Sequence, residues 1–99
     1  MPAKIDIDRE AIAEFCRKHQ IKRLSLFGSV LTDRFGPDSD VDVLVEFEPT
    51  AVVSLFDIGG MMNELTQMFG RQADVRTPAD LSPYFRDEVA EEAELLYAA

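Results

Sequence analysis

The chain is poor in the features that mark secreted, membrane-spanning and nucleic-acid-gripping proteins. Its 99 residues hold one cysteine, Cys16. A single cysteine excludes an internal disulfide and a thiolate metal cluster within one chain. Basic residues are also scarce, with ten Lys and Arg against nineteen Asp and Glu, for a formal charge of −9. Such a surface repels phosphate backbones, so gripping DNA or RNA is not expected as a primary role. It suits a basic protein partner, and any nucleotide should arrive with its metal. No segment approaches the roughly 20 apolar residues that span a membrane. The most apolar region, residues 41–62, is interrupted by Glu46, Glu48 and Asp57. The first residues lack the apolar core of a secretory signal. Internal repeats, low-complexity tracts and long linkers are missing too. The expectation is a soluble cytoplasmic protein, folded as one domain over residues 1–99. At this length it should bury roughly 60–70% of its unfolded surface.

What the chain does have is concentrated between residues 26 and 45. An apolar run ending in Leu24, Leu26 and Phe27 reads as a strand, and Gly28-Ser29 breaks it. After about ten residues, Ser39-Asp40-Val41-Asp42-Val43-Leu44-Val45 opens a second strand. Side chains alternate along a strand, so Asp40 and Asp42 share one face and Val41, Val43 and Val45 share the other. Two like charges so close need a cation, a proton or a basic residue to compensate them. Mg²⁺ is the natural choice, a hard ion preferring carboxylate and phosphate oxygens. Glycine lets a backbone approach a ligand closely, and a helical turn after Gly28-Ser29 would aim N–H groups at a phosphate. The Ser29 hydroxyl adds a donor.

Around this stretch the pattern predicts helices at about 8–19, 54–69 and 83–97 and strands at 21–27, 41–47 and 71–76. In the first helix, capped by Asp8, the stripe Ala11, Ile12, Phe15, Cys16 and His19 makes Cys16 core filler and His19 a structural residue. In the second, Leu55, Ile58, Met62, Leu65 and Phe69 form the apolar stripe, and Gly70 is the stop. Gly59-Gly60 inside it implies a kink or a close packing contact. Thr77-Pro78 should cap a further turn. The last helix should carry Phe85, Val89, Ala93 and Leu96 on one side and an acidic, solvated face on the other. Ser29 to about Asp33 should form a helical turn. The element order gives an α/β fold, a small mixed β-sheet covered on one face by helices and open to ligand on the other.

The combination of strand, Gly-Ser, a short spacer and Asp-x-Asp in a β-branched strand resembles the DNA polymerase beta-like nucleotidyltransferase superfamily. It looks most like its minimal nucleotidyltransferases (MNT), which are often antitoxins paired with HEPN proteins. The resemblance spans nearly the whole chain. It implies that Gly28 and Ser29 hold the triphosphate of ATP. It also implies that Asp40, Asp42 and a third acid hold Mg²⁺, with two ions expected. That third acid is Asp74, placed just before Thr77-Pro78, and it is also the candidate general base. Relatives often place a basic residue where this chain has Thr32-Asp33, and Arg34 is the candidate replacement as a phosphate contact. The implied activity is transfer of AMP to a tyrosine of a HEPN toxin. The competing reading is a binding module that neutralises its partner by complex formation, with catalysis weak or absent. Homo- and hetero-oligomers both stay open, as do the acceptor and the base.

Overall fold

Asp8 begins the first helix because its carboxylate accepts from the backbone N–H groups of Glu10 and Ala11, each at 3.1 Å. In a computed structural model, which describes residues 5–32, 34–81 and 83–99 apart from the side chains of 84–86 and 90, this helix is α1 (Arg9–Lys18). Two strands follow, β1 (Ile21–Phe27) and β2 (Val41–Phe47), separated by a 3₁₀ turn at Gly28–Leu31. Helix α2 (Leu55–Phe69) opens with a reciprocal cap between Ser54 and Asp57 and closes on Gly70 in the left-handed region. After it come β3 (Ala73–Arg76), a 3₁₀ turn at Pro78–Asp80, α3 (Pro83–Glu92) and β4 (Glu94–Ala98). Thr77 and Asp80 form the expected cap, with Pro78 at the first helical position.

The sheet runs β3-β2-β1-β4. Strand β1 pairs antiparallel with β2 and β4, whereas β2 pairs parallel with β3. Parallel pairing demands a crossover, and α2 provides it. One face of the sheet presents Leu24, Leu26, Val41, Val43, Val45, Ala73 and Val75. They join Ile12, Phe15 and Cys16 of α1 and Met61 and Leu65 of α2 in one buried core. Burial pushes the Cys16 thiol up to about 12, so it stays protonated as packing material. His19 and Lys18 both bond Glu64, tying α1 to α2. On the other face, Ser25 and Leu44 are also buried. They pair across the two inner strands, each flanked by neighbours on both sides.

Three expectations change. The last helix does not reach Tyr97; it stops at Glu92, and Glu94–Ala98 becomes β4. A continued helix would stack Glu88, Glu91, Glu92 and Glu94 within one or two turns of each other. It would also leave the outer edge of β1 unpaired. As a strand, the segment satisfies that edge and buries Leu96 in the core. The apolar stripe of α2 begins a turn later than expected, since Leu55 is 89% exposed, and Met61 rather than Met62 joins Leu65 as a buried residue. The expectations that fall on Asp33 and the Phe85 side chain lie outside the described residues.

Gly59-Gly60 produces neither a helix break nor a close packing contact. α2 runs unbroken through both, and a Cβ at either would meet nothing within 4 Å. Glycine in a helix interior is worth about 0.5–1 kcal/mol less than alanine, through its greater unfolded freedom. Gly59→Ala and Gly60→Ala should therefore each stabilise the protein by about that amount in urea denaturation. A loss of stability in either would mean that the glycine is needed inside the folded chain.

Candidate active site

The β2–β3 register sets the site. Val41 and Val43 are buried against Ala73 and Val75, so the alternating residues Asp42 and Asp74 emerge together on the opposite face. They are direct partners in the parallel ladder. Neighbouring strands lie about 4.8 Å apart, which brings the two carboxylates side by side.

Asp40 stands two residues before Asp42, outside the strand and exposed. The loop that delivers it is clamped from a distance. Arg71 donates to the carbonyls of Gly36 and Ser39, and its guanidinium lies 4.3 Å over the Phe35 ring. The Ser39 hydroxyl accepts from the Gly36 N–H at 3.0 Å, closing the loop on itself. The Val41 N–H then donates to the Gln72 carbonyl at 2.8 Å, and the strand begins.

The electrostatics are those of crowded anions. Burial, then the carboxylates of Asp74 and Asp40, raise the Asp42 carboxyl above its ordinary value, and Arg76 opposes them. Arg76 is bonded to Asp74, with Nε and Nη2 donating to the same oxygen, Oδ2, at 3.1 and 3.0 Å.

Gly28 explains why a glycine opens the turn. Its φ is +77°, where an L side chain is strained, and a Cβ there would overlap Asp42 Oδ2. The main chain can pass this close to the carboxylate only without a side chain. Gly28 also borders a cleft of about 720 Å³, lined by Gly28, Ser29, Thr32, Arg34, Glu91 and Glu92 among others. That is ample for a nucleotide-sized ligand. Thr32 occupies the position where a basic residue is common. Its hydroxyl donates to the Ser29 carbonyl at 3.0 Å and accepts from the Arg34 N–H at 3.2 Å. Arg34 is exposed and on the cleft wall.

All six candidate residues thus fall into two adjoining groups that share Gly28. The donor set is oxygen-only and anionic, which fits a hard divalent ion. Among the described residues, however, no three acidic groups stand close enough together to enclose an ion without rearrangement. Four residues escape the sequence reading. Arg71 acts across 32 to 35 residues, with no local signal. Glu91 and Glu92, at the end of α3, line the cleft, where the sequence suggests only a solvated acidic face. Arg76 did carry a signal, since it lies at i+2 from Asp74 in a strand and so on the same face.

The nucleotidyltransferase domain model matches residues 8–96. A relative in Methanocaldococcus jannaschii, provisionally named a protein adenylyltransferase, is 37% identical over 77% of this chain and 80% of its own length. A solved structure described as a provisional minimal nucleotidyltransferase is 34% identical, with a TM-score of 0.71 over 86% of this chain and 85% of its own. The fold also matches a complex of a tri-AMPylated Shewanella oneidensis HEPN toxin with an MNT antitoxin. That match has a TM-score of 0.60 at 16% identity, covering 92% of this chain and 70% of that one. By sequence and by fold, the chain belongs to the nucleotidyltransferase domain family, in its minimal branch.

Proposed function

We propose that this nucleotidyltransferase moves AMP from ATP onto a tyrosine hydroxyl of a HEPN-type toxin and thereby acts as its antitoxin. The observation that carries the reading is the pairing of Asp42 with Asp74 on one sheet face, with the Gly28 backbone seated against Asp42. The AMP-bearing HEPN toxin in a structurally similar complex supports the choice of nucleotide and partner. In the reaction an acceptor oxygen bonds to the α-phosphorus, the bond to the bridging oxygen of the β-phosphate breaks, and pyrophosphate leaves. The acceptor's proton passes to Asp74, whose Oδ1 lies outside its contact with Arg76. Gly28, Ser29 and Arg34 hold the triphosphate along the cleft. Asp40, Asp42 and Asp74 would hold Mg²⁺, which supplies charge neutralisation at the phosphates. The net charge of −9 matches a basic partner rather than a nucleic acid. Among the described residues no helix is long and apolar enough to cross a membrane.

Incubation with α-labelled and γ-labelled ATP, Mg²⁺ and extract of the source organism tests this directly. The α label should appear on a protein band whose size identifies the acceptor. Transfer of γ label alone would overturn the mechanism. No transfer, with a partner still co-purifying, would leave neutralisation by complex formation.

A further inference from the structure

We infer that Arg76 is the internal counter-ion of the metal site, a positioning residue that keeps the Asp74 carboxylate engaged until a divalent cation takes its place. This rests on the reading above that the three aspartates hold metal. Strand period puts Arg76 and Asp74 on one face of β3, and both guanidinium bonds converge on a single carboxylate oxygen. In the ladder Asp74 sits opposite Asp42, whereas Arg76 sits opposite Leu44. Arg76 is therefore one alternation further from the mouth of the strand, where Asp40 lies. Its pull is directed along β3 and away from Asp40. That agrees with the finding that, among the described residues, the acidic groups do not yet form an ion-sized cluster.

The neighbouring carboxylates repel one another, and Asp74 is already paired with Arg76. The pair is also poorly suited to be a permanent brace. The side chains of Arg76 and Asp74 are 50% and 31% exposed, and pairs this wet are weak. A weak pair can hand its carboxylate over to an arriving ion at small cost. Fork geometry matters as well, because an arginine can fix a carboxylate oxygen through two donors where a lysine offers a point charge.

The test is binding of Mn²⁺ alone, without nucleotide, followed by loss of the free-ion electron paramagnetic resonance signal. Arg76→Gln should bind Mn²⁺ roughly fivefold tighter than the parent, the size expected for removing one half-exposed competing pair. Arg76→Lys, which keeps the charge without the fork, should fall between the two. Asp74→Asn should bind more weakly than the parent. In the Asp74→Asn background, Arg76→Gln should add almost nothing, because there is no carboxylate left to release. If Arg76→Gln tightens binding equally in both backgrounds, the residue acts as a distant charge and the inference fails. Equal Mn²⁺ affinity in the parent and Arg76→Gln also overturns it, while leaving the aspartates as ligands. If neither protein binds Mn²⁺, the inference and the metal assignment fall together.

Discussion

Asp42→Asn should lower AMP transfer by on the order of 10²–10³-fold or more and leave the fold at least as stable as the parent. The two halves of this expectation have one cause. Asp42 is half-buried, paired by register with Asp74 and preceded by Asp40. Its carboxyl is raised above the ordinary 3.8 by burial first and then by those neighbours. An acid whose folded value lies above its unfolded value is worse off ionised in the fold than in the open chain. Stability is therefore lost as pH rises from the ordinary carboxylate range through the raised value, and it stays lost at neutral pH. Asparagine keeps the shape and removes the charge. At pH 7 its Tm should equal or exceed that of the parent, and the gap should close as pH falls below 3.8. On the proposed function the same charge would hold the nucleotide's cation, so transfer should collapse where stability does not. A variant that unfolds more easily than the parent at pH 7 would show that Asp42 braces the fold. A variant with near-parental transfer would remove Asp42 from the catalytic machinery.

Gly28→Ala should damage both properties. The left-handed backbone at Gly28 costs an L residue about 1–2 kcal/mol by itself. The added methyl must also displace the Asp42 carboxylate, since it would overlap Oδ2 and stand 3.3 Å from Cγ. We expect a loss of about 2–3 kcal/mol in urea denaturation, with AMP transfer falling at least as far as in Asp42→Asn. The two costs can be separated in a double mutant. Asp42→Ala removes the clashing atoms, and the remaining Cβ would lie 3.6 Å from the new methyl, an ordinary contact. Gly28→Ala on the Asp42→Ala background should therefore cost only the backbone part. If the penalty is the same in both backgrounds, the carboxylate is not what the glycine makes room for.

Much of this candidate site was legible in the sequence, because its parts depend on short-range rules. Alternation placed Asp42 relative to Val41 and Val43, whereas Asp40 stands outside the strand, and Gly28 followed directly on an apolar strand. The caps at Asp8 and Thr77 were readable from the side chains that make them. The illegible parts depend on who sits across the sheet. Glu94–Ala98 has a composition that tolerates a helix, and only the open edge of β1 turns it into a strand. Leu55 fits an apolar helical period, yet the rotation of α2 on the sheet leaves it in water beside Phe56, which is 94% exposed. The clamp from Arg71 onto Gly36 and Ser39 exists only once β3 has docked beside β2. Arg76 was visible as a strand residue, but its hold on Asp74 depends on rotamers that a sequence does not state.

The crossover through α2 has a consequence for the order in which the site comes together. β1 and β2 are joined by residues 28–40, and they pair antiparallel. β3 can join only after residues 48–72 have been laid across the sheet, and β4 waits for nearly the whole chain. Closing longer loops costs more entropy, and distant pairings form more slowly. Gly28 and Asp42 therefore meet early, while Asp74 arrives late on a four-residue edge strand. The same asymmetry works in reverse. Opening of β3 alone, a smaller event than global unfolding, separates the two carboxylates and leaves the β1–β2 pairing in place. The Asp42–Asp74 half of the site thus assembles after the Gly28–Asp42 half and can open without it.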